Sequence, residues 1–131
     1  MGQSLPIGAV PAFGAGAIRG GPCLVAILGT FTTSTGAFTA SGEPNREYSL
    51  SSFTSGIATL TFPKSLSYLS GWGEHDLADA SPANTRSLKV RTVNLAAGTA
   101  AVYLVKDSDG TTDTTHTIAT GLIRLNLITG D

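Results

Sequence analysis

The 131 residues are one domain's worth of chain, long enough to bury a core without disulfide or metal staples. Charged residues make up 13%, against roughly 25% in an average soluble domain. The net charge is −1 and the eight basic residues are scattered, which argues against nucleic-acid binding by phosphate neutralisation, while 41% hydrophobic residues argue against disorder.

Residues 1–22 are a block of Gly, Ala and Pro in which repeated helix breakers exclude a stable helix. Ile7, Val10, Phe13 and Ile18 punctuate it at intervals. A flexible linker lacks such anchors, so the block is expected to be an extended arm that lays these four side chains onto a partner. It contains neither a basic segment nor a continuous apolar run of the secretory kind. Pro6 stands where an N-myristoylation start needs Ser or Thr. "CLVAILG" is too short to span a bilayer. Folding in a cytoplasm is therefore expected, with no membrane partner.

From Cys23 the pattern becomes β. "CLVAILGTFTT" is apolar and β-branched, and its lone Cys23 reads as a small buried hydrophobe. Short strand-like pieces surround Phe38 and residues 48–53, separated by turn residues. "GIATLTFP" alternates, with Ala58, Leu60 and Phe62 on one face. A strand around Leu66–Leu69 is expected to run into a long loop, "GWGEHDLADASPANT", with a helical turn near His75–Ala80. "SLKVRTVNL" slips phase after Arg91, which predicts a bulge near Thr92. The last strand puts Ile123, Leu125 and Leu127 on one face.

Seven to eight short strands with turn signals every eight to twelve residues fit an antiparallel β-sandwich or a small barrel, and an all-β, antiparallel β-sandwich over residues 23–131, jelly-roll or Greek-key-like, is the expectation. Its core is expected from Leu24, Ala26, Leu28, Leu60, Phe62, Val90, Val102, Leu104, Ile123, Leu125 and Leu127.

The densest potential ligands lie in "VKDSDGTTDTTHT". Counted from Asp107, an EF-hand loop needs Gly at the sixth place and Glu at the twelfth. Gly110 is fourth and Ile118 is twelfth, so that motif fails. Asp109-Gly110 suits a tight hairpin turn, and a hairpin tip between Thr99–Lys106 and a strand beginning at Thr114 is the expectation. A weak Ca²⁺ loop through Asp107, Asp109 and Asp113 stands as its alternative. Glu74, His75 and Asp76 are consecutive and cannot share a face of a strand, and His116 is flanked by Thr, so both histidines read as solvated loop residues. Trp72, between two glycines, reads as a loop anchor or as an exposed aromatic surface contact. No nucleophile elbow, P-loop or dinucleotide fingerprint occurs. The chain is expected to be no enzyme and to need no cofactor or metal.

With the arm, "SSFTSGIATLTFPKS" and "LKVRTVNLAAGTAAVYLVKDSDGTTDTTHTIATGLIRLNLITGD", the chain resembles small β-rich virion structural proteins of tailed bacteriophages, most of all head decoration (cement) proteins. Gly56–Pro63 and Gly121–Asp131 carry the likeness. It implies a homotrimer on the capsid surface, assembled in the host cytoplasm, with the major capsid protein as partner. A fibre, spike or lectin-like receptor-binding module is the alternative. A small metal-dependent hydrolase using His75 and His116 is a more distant one.

Overall fold

The computed structural model describes residues 9–11, 22–41, 47–76 and 85–130. Among these residues, nine strands follow in chain order: β1 (Ala9–Pro11), β2 (Cys23–Phe31), β3 (Phe38–Ala40), β4 (Ser49–Leu50), β5 (Ile57–Thr61), β6 (Tyr68–Asp76), β7 (Arg86–Asn94), β8 (Thr99–Lys106) and β9 (Gly121–Gly130). Their pairings are antiparallel. They build one continuous sheet in the order β1-β2-β9-β6-β7-β8-β5-β4, with β3 also on β2.

The far ends of this sheet approach each other. The Phe53 N–H donates to Gly36 O at 2.7 Å, and the Phe38 N–H to Ser52 Oγ at 3.0 Å. The hydrogen bonding thus gives a nearly barrel-shaped single sheet in place of the expected sandwich of two stacked ones. Number and length of strands are the same in both architectures, so spacing cannot separate them. Within the sheet, β6, β7 and β8 form a meander, and β9 returns beside β6. The spatial order β9-β6-β7-β8 is a Greek key.

Alternate residues of β2, β5, β8 and β9 point into one core. Leu60, Val102, Leu104, Leu125 and Leu127 are fully buried, Phe62 and Ile123 nearly so, and Val90 packs partly against them. In β2 the expected phase is inverted. Cys23, Val25, Ile27 and Phe31 point inward, while Ala26 is exposed and Leu24 and Leu28 are 39% and 38% exposed. The run is apolar on both faces, so its own alternation carries no phase. Pairing decides it: Val25 lies opposite Leu127, Ile27 opposite Leu125 and Gly29 opposite Ile123, and directly opposed residues share a face. Ile27→Ala is therefore expected to cost about 2–5 kcal/mol. Leu28→Ala should cost about 1 kcal/mol, as befits a half-exposed side chain. Chemical denaturation of the two variants checks this, and equal losses would refute the inward phase.

The expected loop at "GWGEHD" is strand. β6 runs unbroken through Gly71, Trp72 and Gly73. A Cβ at Gly71 would lie 2.6 Å from Leu127 Cδ2, and one at Gly73 2.8 Å from Leu88 Cδ1. Both glycines mark places where neighbouring chain crosses closely, not the turn that a glycine pair suggests. The bulge near Thr92 is present: the β7–β8 register shifts between Arg91 and Asn94, and Thr92 has φ +54°.

Candidate functional site

Two regions collect the residues with chemical potential: the connection between β8 and β9, and the outward face of β2, β9 and β6.

The connection begins as a wider turn than the expected two-residue hairpin. The Lys106 N–H donates to Thr111 O, and the Gly110 N–H to Lys106 O, both at 2.8 Å. Only Gly110 of the central pair has positive φ, at +75°. Asp109 Oδ1 accepts from the Thr111 N–H at 2.9 Å and its hydroxyl at 2.7 Å, and these bonds, the hydroxyl first, hold the Asp109 carboxyl below its ordinary range. Asp107 Oδ1 accepts from the Ser87 hydroxyl at 2.6 Å. After the isolated bridge between Val105 and Thr112, the chain dives inward, and the strand expected from Thr114 starts only at Gly121.

Asp113 is fully buried. Its Oδ2 accepts from Arg86 Nε at 2.9 Å, from the Thr117 N–H at 2.9 Å and from the Thr117 hydroxyl at 3.2 Å. Arg86, at the start of β7, also donates to Thr85 O and to Thr117 Oγ1, each at 2.9 Å. Burial pushes the Asp113 carboxyl upward. The Arg86 hydrogen bond, the Thr117 N–H and the Arg86 charge outweigh it and hold the carboxyl below its usual value. Asp107, Asp109 and Asp113 thus have three separate duties. Among the described residues, no three His, Cys, Asp or Glu side chains are grouped to hold a metal ion.

Both histidines, expected in solvent, are buried. His75 is on the inward side of β6, opposite Ile123. His116 lies in the connection, with Nε2 accepting the Gly56 N–H at 2.9 Å. Sequence reasoning missed Arg86 and Thr117 altogether. The only signal was that Arg86 opens an alternating strand on the inward phase, two residues before Leu88.

The second region is an outward face. Leu24 and Leu28 of β2, Leu122 of β9, and Tyr68 and Trp72 of β6 are all exposed, and Trp72 is the most open at 51%. Trp72 sits opposite Asn126 on β9 and Lys89 on β7. One row along, Arg124 pairs with Glu74 at 3.4 Å in solvent. Trp72 therefore belongs to a strand and points outward; it is no loop anchor. Of the arm residues, Val10 lies in β1 opposite Leu24, at the edge of β2. Ile7, Phe13 and Ile18 lie outside the described residues. Cys23 is a buried thiol, as a small hydrophobe would be.

No protein family, curated protein or solved structure matches this chain.

Proposed function

We propose that this chain is a non-enzymatic structural protein of a bacteriophage particle, a capsid decoration protein that docks through its outward β2-β9-β6 face and its N-terminal arm. The exposed face carries the reading. Trp and Tyr concentrate binding energy at protein interfaces. Here one of each stands on the same strand, three exposed leucines share the face, and Arg124 and Glu74 on it pair with each other. Low overall charge limits repulsion between many copies on one shell, and multiple copies multiply modest affinities. A homotrimer and the major capsid protein are the partners this role calls for.

The test is copy number together with docking. Hundreds of copies per purified particle are expected, and absence from particles would end the proposal. Trp72→Ala should weaken docking to undecorated shells by about thirtyfold or more, the loss typical of an interface hot spot of 2 kcal/mol, with folding stability nearly unchanged. Retained affinity would remove Trp72 from the interface.

The second reading is a fibre or lectin-like module, favoured by the half-exposed Trp72 beside Asn126, an aromatic platform next to an amide. Quenching of Trp72 fluorescence by oligosaccharides would support it in place of the capsid reading.

A further inference from the structure

The sheet's two ends meet at a seam, and one residue binds to the turns on both sides of it. His116 Nε2 accepts the Gly56 N–H at 2.9 Å, from the turn before β5. Its Nδ1 lies 3.4 Å from Ser34 O, in the turn after β2. Its ring meets Phe31 edge-on, with centroids 5.7 Å apart. A Cβ at Gly36 would lie 2.5 Å from the ring's Cε1, so Gly36 is empty where the ring passes. The His116 carbonyl accepts from the Ser34 N–H and the Thr33 hydroxyl, each at 3.0 Å. To make these contacts the residue adopts φ +53°, a left-handed backbone that is uncommon for a non-glycine residue and collects at functional positions.

The bond from Gly56 fixes the ring's chemistry. A backbone N–H can only donate, so Nε2 carries a lone pair, and the neutral ring has its proton on Nδ1, facing the Ser34 carbonyl. The protonated ring would carry hydrogens on both nitrogens. Nε2–H would then oppose the Gly56 N–H, two donors with no acceptor between them. No described carboxylate is hydrogen-bonded to the ring to offset the new charge. Residues 32–37 and 51–57, which pack around the ring, contain no titratable side chain. In its own connection the buried charge is Asp113, whose Oδ2 is engaged by Arg86 and Thr117 and whose Oδ1 has no hydrogen-bond partner among the described residues. Asp107 and Asp109 are exposed at the far turn, bonded to Ser87 and Thr111.

We infer that His116 is a proton-operated latch: neutral, it ties the β8–β9 connection and the turns at Ser34 and Gly56 into a closed seam, and protonation releases them. Release would open the barrel between Gly36–Phe38 and Ser52–Phe53 and uncover Phe31 and Phe53. The ladder β2-β9-β6-β7-β8 has no bond through His116 and stays paired.

Nuclear magnetic resonance on the full chain tests this in two steps. The ring nitrogen shifts at neutral pH should report the Nδ1–H tautomer, the minor form of free histidine. On acidification, as the ring shifts report protonation, the Gly56 amide should lose hydrogen-exchange protection about tenfold or more, as expected when one buried hydrogen bond is lost. The Ile123 and Leu125 amides in β9 should keep theirs. His116→Gln keeps an acceptor for Gly56 and cannot take a proton, so its Gly56 protection should not change with pH. An Nε2–H tautomer at neutral pH, or unchanged Gly56 protection once the ring is charged, would overturn the latch. Both are measured on the wild-type chain, so the test does not depend on the variant folding.

Discussion

Arg86→Ala is expected to cost about 3–5 kcal/mol, the range seen when one partner of a buried ion pair is removed. That is a large part of the 5–15 kcal/mol by which a domain of this size is normally stable. The reason is what stays behind. Asp113 is fully buried and Arg86 nearly so. Without the guanidinium, Oδ2 keeps only the Thr117 donors, and a carboxylate sits uncompensated inside the sheet. Thr85 O and Thr117 Oγ1 lose a donor as well. The double variant Arg86→Met/Asp113→Leu should recover much of the loss, because two apolar side chains leave no buried charge. Denaturant midpoints of the three proteins provide the measurement. An Arg86→Ala loss under about 1 kcal/mol would mean that the pair is solvated, as surface pairs are.

The same pair sets an acid limit. Asp113 has its carboxyl lowered on folding, despite burial, by Arg86 and Thr117. A group of this kind binds its proton more readily in the unfolded chain. Its contribution is therefore complete above the unfolded value of about 3.9 and fades as pH falls through the lower folded value. Stability should drop below about pH 4, and this acid-dependent part should be missing from the double variant.

Strand content is legible in the sequence wherever one face is polar. Alternation alone places Ala58, Leu60, Ile123, Leu125 and Leu127 inward, and a slip in phase locates the bulge at Thr92. Legibility fails where both faces are apolar, as in β2, because nothing local prefers one phase. It also fails at Gly71 and Gly73, since a glycine that makes room for a neighbour looks the same as one that makes a turn. The inward course of 113–118 is invisible for a different reason. Asp113 and His116 are polar residues in a Thr-rich stretch, and only a partner 27 residues upstream and a turn 60 residues upstream make their burial tolerable. Such pairings leave no mark on local composition. The architecture is ambiguous in the same way, because closure rests on hydrogen bonds between Gly36–Phe38 and Ser52–Phe53.

Phe31 shows how much rests on that closure. Phe31→Ala is expected to cost about 3–5 kcal/mol, the usual range for a buried Phe. Its side chain has no exposed surface, ends β2, and meets Phe53 edge-on with centroids 5.7 Å apart and rings 70° to each other. On its other side it meets His116 at the same distance and 77°. One ring thus fills the space between the two sheet ends and the connection that bridges them. Its removal leaves a cavity lined by Phe53 and His116, and neither can collapse into it freely. Phe53 is pinned by its N–H on Gly36 O, and His116 by Gly56. A cavity whose walls cannot relax lies at the costly end of the range. Phe31→Leu should recover part of the loss by refilling volume, without restoring the edge-on contacts. Thermal unfolding of both variants reads the difference. If Phe31→Ala were to lose no more than a surface substitution, about 0.5 kcal/mol, the seam would not be packed as described, and the latch at His116 would have nothing to close.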